Sequence, residues 1–248
     1  MAASAANNIY MVEMMMLRSI SGVITTFLLA GFVPAALGFG GISINGTRLI
    51  YDGNKSEAQL TVKNTGNSPY LIQSWVEENG NEGSKRNSSG FIITPPLFRI
   101  EGHERHILRI YKLSDNFPKD RESIFWINIK SIPRSDKSEL NSLQIAVKTK
   151  IKLIFRPENI STRPEEEVGK IIWSRSENRL IAKNQSNHVM NLYKLKVGES
   201  ELSGVGYLLP FDTKEFEVPK DYSGFVEFSV INDHGQTTPS ITTSLDWK

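Results

Sequence analysis

The chain has 248 residues, a formal net charge of +2 and no cysteine. That length admits one large or two modest domains able to bury a core without crosslinks, and the missing cysteines exclude disulfides, thiolate chemistry and Cys-ligated metals. The mildly basic balance carries no concentrated patch of the kind nucleic-acid binding needs, and a cysteine-free chain suits any redox compartment.

At the N-terminus one positive charge, Arg18, precedes an apolar run from Ile20 to Leu37. Ala36 and Gly38 then stand at the −3 and −1 positions of a cut after Gly38. This is the layout of a secretory signal peptide, assigned to residues 1–38. Residues 1–13 form an upstream extension if translation starts at Met14, Met15 or Met16. An uncleaved anchor is the competing reading; Ser19, Ser21, Gly22, Thr25, Thr26 and Pro34 dilute the run and the small-residue exit favours cleavage. No later run approaches the ~20 apolar residues that span a bilayer, so the mature chain is expected to be exported and not stably inserted in a membrane.

From Ile42 the text becomes short alternating segments broken by turn signals. "TRLIYDG" ends in Asp-Gly, "EAQLTVKNTG" alternates Ala58, Leu60 and Val62 before Asn64-Thr65-Gly66, and "PYLIQSWVEENG" closes at Asn79-Gly80. "FIITPPLFRI" holds paired prolines, "RHILRIYKL" alternates again, and "RESIFWINIKSIP" stops at Pro133. No segment sustains an amphipathic helix for three turns. Six or seven strands in this space predict an antiparallel β-sandwich of immunoglobulin type over residues 39–157.

The last segment of this half, "LQIAVKTKIKLIFRP", is the unusual one. Leu143, Ile145, Val147, Ile151, Leu153 and Phe155 alternate with Gln144, Lys148, Lys150, Lys152 and Arg156. The period is that of a half-buried strand, but about fourteen residues is far beyond the usual five or six. Such a strand either lies wholly covered in a twisted sheet or leaves an edge that a partner's sheet pairs with; the pattern alone leaves both open.

"RPENISTRPEEEVG" is proline-rich, charged and free of strand signal, and reads as a linker from Pro157 to Pro164 plus the first loop of a second domain. Glu165–Glu167 reads as a solvated face. Beyond it come six strand candidates: "KIIWSR", "NRLIAKNQS", "HVMNLYKLKVG", "GVGYLLPFDTKEFEVP", "GFVEFSVIND" and "TTSLDW". They predict a second sandwich over residues 158–248.

Catalytic chemistry is not visible. The four histidines, His103, His106, His188 and His234, read as solvated loop residues. No nucleophile elbow, phosphate-cradling loop or metal-ligand cluster appears, so neither cofactor nor metal is expected, and an enzyme is not. Asn-x-Ser/Thr at Asn45, Asn54, Asn87, Asn159 and Asn184 is weak in a turn-rich β-protein.

The motifs "TRLIYDG", "NTGNSPYLIQSWVEE", "ITPPLFRIEG", "PKDRESIFWINIKSIP", "TKIKLIFRP" and "VIND", in this order from Ile42 to Asn232, resemble the periplasmic chaperones of the chaperone–usher pilus pathway. The combination of "DRESIFW" with "TKIKLIFRP" is the most specific part. The resemblance implies an all-β chain of two immunoglobulin-like sandwiches arranged as an L with a cleft between them. It implies a non-enzymatic periplasmic chaperone that binds pilus subunits by donor-strand complementation and delivers them to an outer-membrane usher.

By position, the resemblance places the anchor for the subunit's C-terminal carboxylate at Arg48 and Lys152. It makes Leu143, Ile145 and Val147 the donor side chains, and Ile151, Leu153 and Phe155 part of the chaperone's own core. It assigns Glu122, Arg156 and Asp233 to an ionic network between the domains. When no subunit is bound, the same strand could mediate self-association. The short segment from Ile132 to Leu143 resembles the subclass that serves ordinary adhesive pili. The competing reading is a secreted two-domain immunoglobulin-like adhesion or receptor module, which would use the sequons and would more often carry an inter-sheet disulfide.

Overall fold

The computed structural model describes residues 41–79, 90–134, 143–218 and 224–247. The proposed signal peptide, the sequon at Asn87 and most of the Ile132–Leu143 segment lie outside them. Residues Gly40–Lys248 form one compact unit, built from two packed pairs of sheets. No α-helix occurs among the described residues; two 3-10 turns, Pro164–Glu166 and Val168–Lys170, lie at the end of the predicted linker and in the loop after it.

Among the described residues the first sandwich has nine strands: β1 (Ile42–Ile44), β2 (Arg48–Asp52), β3 (Glu57–Asn64), β4 (Tyr70–Glu78), β5 (Phe91–Thr94), β6 (Leu97–Ile100), β7 (Arg105–Lys112), β8 (Ser123–Pro133) and β9 (Val147–Arg156). One sheet runs β1-β3-β7-β5 and the facing sheet β2-β9-β8-β4-β6. The first segment of the chain serves both sheets: β1 pairs with β3, and after a turn at Gly46 β2 pairs parallel with β9. "FIITPPLFRI", which reads as one run, is two strands. The paired prolines carry no N–H for a ladder, and the chain changes sheets there, with Thr94–Pro95 in cis.

The core follows from period-2 alternation. Phe125, Ile127 and Ile129 of β8 and Ile151, Leu153 and Phe155 of β9 point inward, opposite Leu60 and Val62 of β3 and Leu108 and Ile110 of β7. At one end the rings of Tyr51, Phe91, Phe117, Phe125 and Phe155 meet at centroid distances of 5.0–6.1 Å. Gly53, just after β2, lies so close to the main chain at Arg156 and Glu158 that a Cβ would meet backbone at 2.9 Å.

The second sandwich holds β10 (Ile171–Ser176), β11 (Arg179–Asn184), β12 (Met190–Val197), β13 (Ser200–Glu201), β14 (Tyr207–Leu208), β15 (Thr213–Glu217), β16 (Phe225–Ile231), β17 (Ile241–Ser244) and β18 (Asp246–Trp247). Its sheets are β15-β11-β10-β18 and β13-β12-β16-β17, with β14 on β12. The six predicted strands become nine among the described residues: the Gly- and Pro-containing run "GVGYLLPFDTKEFEVP" breaks into β14 and β15, "TTSLDW" breaks at Leu245 between β17 and β18, and β13 is a short strand outside the predicted segments. In β12 the buried positions change parity, from Met190 and Leu192 to Leu195 and Val197. A β-bulge between Leu192 and Lys194 absorbs the extra residue and leaves Tyr193 exposed.

A third apolar cluster joins the sandwiches. Ile50, Ile154 and Ile124 form one rung across β2, β9 and β8 on the face turned away from the first core. They pack with Val189, Tyr207 and Leu209 of the second sandwich.

Candidate functional site

The outer face of β9 changes character residue by residue. Lys148 is exposed, Lys150 and Lys152 are half-buried, Ile154 is buried in the inter-sandwich cluster and Arg156 lies beyond it in an ionic cluster. Lys152 therefore stands where the strand passes from solvent into the junction. The parallel pairing of β2 with β9 sets Arg48 directly beside it as register partner.

These two cations are not neutralised by each other's neighbours. Lys152 Nζ donates to Asn191 Oδ1 at 2.7 Å and sits 5.2 Å from the centroid of the Tyr207 ring. Arg48 Nη1 donates to the Ile231 carbonyl at 3.4 Å, and Arg48 Nε is buried without an acceptor. Neither makes a salt bridge among the described residues. Burial, reinforced by the charges of Arg48 and Lys214, pulls Lys152 down to about 8. Burial also lowers Arg48, against the opposing charge of Asp233. Two half-desolvated cations with unused donors are chemically suited to an anion, and the combination of an Arg fork and a Lys point charge suits a carboxylate.

On the N-terminal side of this rung β9 loses its neighbour. The β2 pairing begins at Lys152, while β8 pairs with β9 from Ser131↔Val147 to Ser123↔Phe155. Among the described residues, the side of Val147–Ile151 turned away from β8 faces no strand. Exposure divides the stretch sharply. Leu143, Ile145 and Val147 are 86%, 64% and 53% exposed, whereas Ile151, Leu153 and Phe155 are 2%, 0% and 5%. One expectation needs correcting. The strand begins at Val147, so Leu143 and Ile145 lie ahead of the ladder rather than within it; Gln144 Nε2 donates to the Arg134 carbonyl at 3.3 Å.

Glu122, Arg156 and Asp233 come together. Arg156 Nε donates to Glu122 Oε1 at 2.6 Å, and its two terminal nitrogens bond both oxygens of Asp233 at 2.7 and 2.9 Å. Burial opposes the Arg156 charge, but the Asp233 and Glu122 carboxylates more than offset it and raise its pKa. Glu122, whose side chain is fully buried, also accepts from the Val189 amide at 2.7 Å. The cluster thus joins the residue before β8 and the end of β9 in one sandwich to the β11–β12 turn and the segment just after β16 in the other.

Two readings from sequence fail here. His188 is not a solvated loop residue: it is fully buried, with Nδ1 3.0 Å from Glu122 Oε1 and Nε2 2.9 Å from Thr162 Oγ1. Glu167 is not on a solvated face either; it is buried and held by Thr162 and Lys170. His103 and His234 are exposed, as read, and His106 is half-buried. Asn191 and Tyr207, which hold Lys152, were not picked out at all. Asn191 carries a faint signal as an amide inside the apolar run "HVMNL"; Tyr207 carries none.

Comparison with known proteins bears on this arrangement. Residues 41–161 match the pili and flagellar-assembly chaperone family, PapD N-terminal domain. Residues 166–242 match the pili assembly chaperone PapD C-terminal domain. The chain is 37% identical over 229 residues to the chaperone protein FimC of Escherichia coli O6:H1, covering 88% of this chain and 93% of the relative. It is 34% identical over 234 residues to the probable fimbrial chaperone LpfB of Escherichia coli O157:H7, covering 92% and 99%. In three dimensions it resembles the chaperone structure solved for Salmonella enterica SafA pilin in complex with the SafB chaperone, with a TM-score of 0.76 and 32% identity over 85% of this chain and 99% of that one.

Proposed function

Because the chain belongs to the PapD-type family of pili assembly chaperones, a family of chaperones and not of enzymes, we propose that it holds pilus subunits in the periplasm through Arg48, Lys152 and the free side of β9. The domain boundary falls at Pro157 in this reading, and the Glu122–Arg156–Asp233 cluster fixes one domain against the other. The observation that carries the proposal is the coincidence of three features on one strand. The anion-receptive rung of Arg48 and Lys152 lies where the unpaired side of β9 begins, and the exposed Leu143, Ile145 and Val147 follow from there.

That layout dictates the partner's direction. A strand whose C-terminal carboxylate sits at Lys152 and whose body extends toward Val147 and Leu143 must run parallel to β9. Its ladder bonds would satisfy the free side of Val147–Ile151, and its sheet would cover the donor side chains. Burial of each donor contributes about 1.5–3 kcal/mol if complete. The carboxylate fixes register, and register matters because a one-residue slip turns every donor to the wrong face. The SafB complex with a pilin supports subunits as partners, and the family's pathway makes an outer-membrane usher the recipient. With no subunit present, the same side of β9 is open to a second copy of the chain.

The anchor is testable through its ionisation. Lys152 carries its full charge only below about 8. Affinity for a subunit with a free carboxylate is therefore expected to fall as pH rises through that value, and Lys152→Arg, which stays charged, to flatten the profile. For the free chaperone the sign is opposite. The folded protein releases this proton near 8 while the unfolded chain holds it to about 10.5. Stability from this group therefore rises across that window. Arg48→Ala and Lys152→Ala should each weaken subunit binding by on the order of tenfold to a hundredfold, with circular dichroism unchanged; binding retained in both would remove the anchor.

Export is the other half of the proposal. Protein recovered from the periplasm is expected to begin within a few residues of Phe39. Mass spectrometry showing the Ile20–Leu37 segment still attached would mean a tethered protein instead.

A further inference from the structure

Lys152 and Arg48 are each held by the second sandwich, and by a single rung of it. In the sheet of β14, β12 and β16, Tyr207 pairs with Asn191 and Asn191 with Ile231. All three touch the anchor rung: the Tyr207 ring and Asn191 Oδ1 meet Lys152 Nζ, and the Ile231 carbonyl meets Arg48. Asn191 is buried, and its Nδ2 donates to the Val189 carbonyl at 3.4 Å. That bond turns the amide oxygen, and not its N–H groups, toward the ammonium. Tyr207 is fixed in turn. Its hydroxyl donates to Asn79 Oδ1 at 2.7 Å, an atom that also accepts from Trp126 Nε1 at 3.2 Å. Trp126 is the register partner of Lys152 on β8.

We propose that Asn191 and Tyr207 are positioning residues that aim the Lys152 ammonium at the subunit's terminal carboxylate, so that the second sandwich sets the chaperone's preference for a free chain end. The inference rests on Arg48 and Lys152 being the carboxylate anchor. An ammonium on a four-carbon stem is otherwise mobile, and ordering it when a ligand arrives costs side-chain entropy. A neutral acceptor on one proton and an aromatic face restrain it beforehand without cancelling its charge, which leaves the other protons for the ligand. An acidic residue at 191 would order the lysine equally well and occupy it.

The test uses a synthetic peptide copied from the C-terminal end of a pilus subunit that co-purifies with this chaperone, made with a free carboxylate and with a carboxamide. Affinities of both forms are measured for the wild-type mature chain and for Asn191→Leu, Asn191→Asp, Tyr207→Leu and Lys152→Met. Asn191→Leu and Tyr207→Leu are each expected to weaken the carboxylate peptide by roughly tenfold, the scale of a hydrogen bond to a charged group, and to leave the carboxamide peptide nearly unaffected. Asn191→Asp is expected to weaken the carboxylate peptide most while its melting temperature holds or rises, since the new carboxylate pairs with Lys152. Equal weakening of both peptides by Asn191→Leu, or carboxylate binding retained by Asn191→Asp, overturns the inference. If Lys152→Met erases the preference while Asn191→Leu and Tyr207→Leu keep it, the anchor stands and only the positioning role falls. A wild-type chain that does not distinguish the peptides removes the anchor itself.

Discussion

Leu153→Asp is expected to leave the first sandwich unfolded, while Ile145→Asp, eight residues earlier on the same alternating run, is expected to melt like the wild type. Leu153 is fully buried among Phe125, Ile127 and the residues of β3 and β7. A carboxylate there has neither partner nor water, and the cost of about 5 kcal/mol or more rivals the stability of a whole domain. Ile145 is 64% exposed and lies ahead of the β9 ladder, so the same substitution costs the free protein no more than roughly 0.5 kcal/mol. Its effect appears only with a subunit, where the charge would enter an apolar groove. Thermal melts and subunit pull-downs on the two variants separate the roles. Equal destabilisation would place the whole run in one domain's core and end the donor reading.

Arg156→Ala is the second large effect. The guanidinium bonds both the fully buried Glu122 and the Asp233 of the other sandwich. Its removal leaves a buried carboxylate without its main counter-charge, a loss of about 3–5 kcal/mol, or a fall in melting temperature on the order of 10 °C. Because the cluster spans the junction, calorimetry is expected to resolve two transitions where the wild type shows one. The double variant Arg156→Met with Glu122→Gln should recover part of the loss, since it removes the unpaired charge along with its partner. A single transition within a degree or two of wild type in Arg156→Ala would show that the cluster neither stabilises nor couples the sandwiches.

Much of this was legible in the sequence because it obeys short-range rules. The alternation of Ile151, Leu153 and Phe155 announces a core face, and Asp52-Gly53 and Asn64-Thr65-Gly66 announce turns. The proposed anchor and the ionic cluster were legible only through resemblance, since Arg48 and Lys152 become neighbours by a parallel pairing that no local pattern encodes. What was missed is tertiary in origin. His188 is one histidine in a polar turn until the fold brings Glu122 to one ring nitrogen and Thr162 to the other. Glu167 ends a charged run, and only packing buries it. The start of β9 was placed too early because period-2 alternation continues through Leu143 and Ile145, although β8 pairs with the strand only from Val147 onward. Alternation reports which face a side chain takes; it does not report whether a neighbouring strand is present.

The most direct measurement of how this chaperone holds its partner is amide hydrogen exchange along Leu143–Phe155, with and without a bound pilus subunit. Amides of Lys152–Phe155 should be protected in both states, because β2 and β8 already flank that part of β9. Amides of Leu143–Ala146, and those of Val147–Ile151 that point away from β8, should exchange readily in the free protein and become protected in the complex; the ones bonded to β8 should be protected in both states. Unchanged exchange over Leu143–Lys150 in a saturated complex would contradict the account, because the subunit would then be bound somewhere other than the free side of β9.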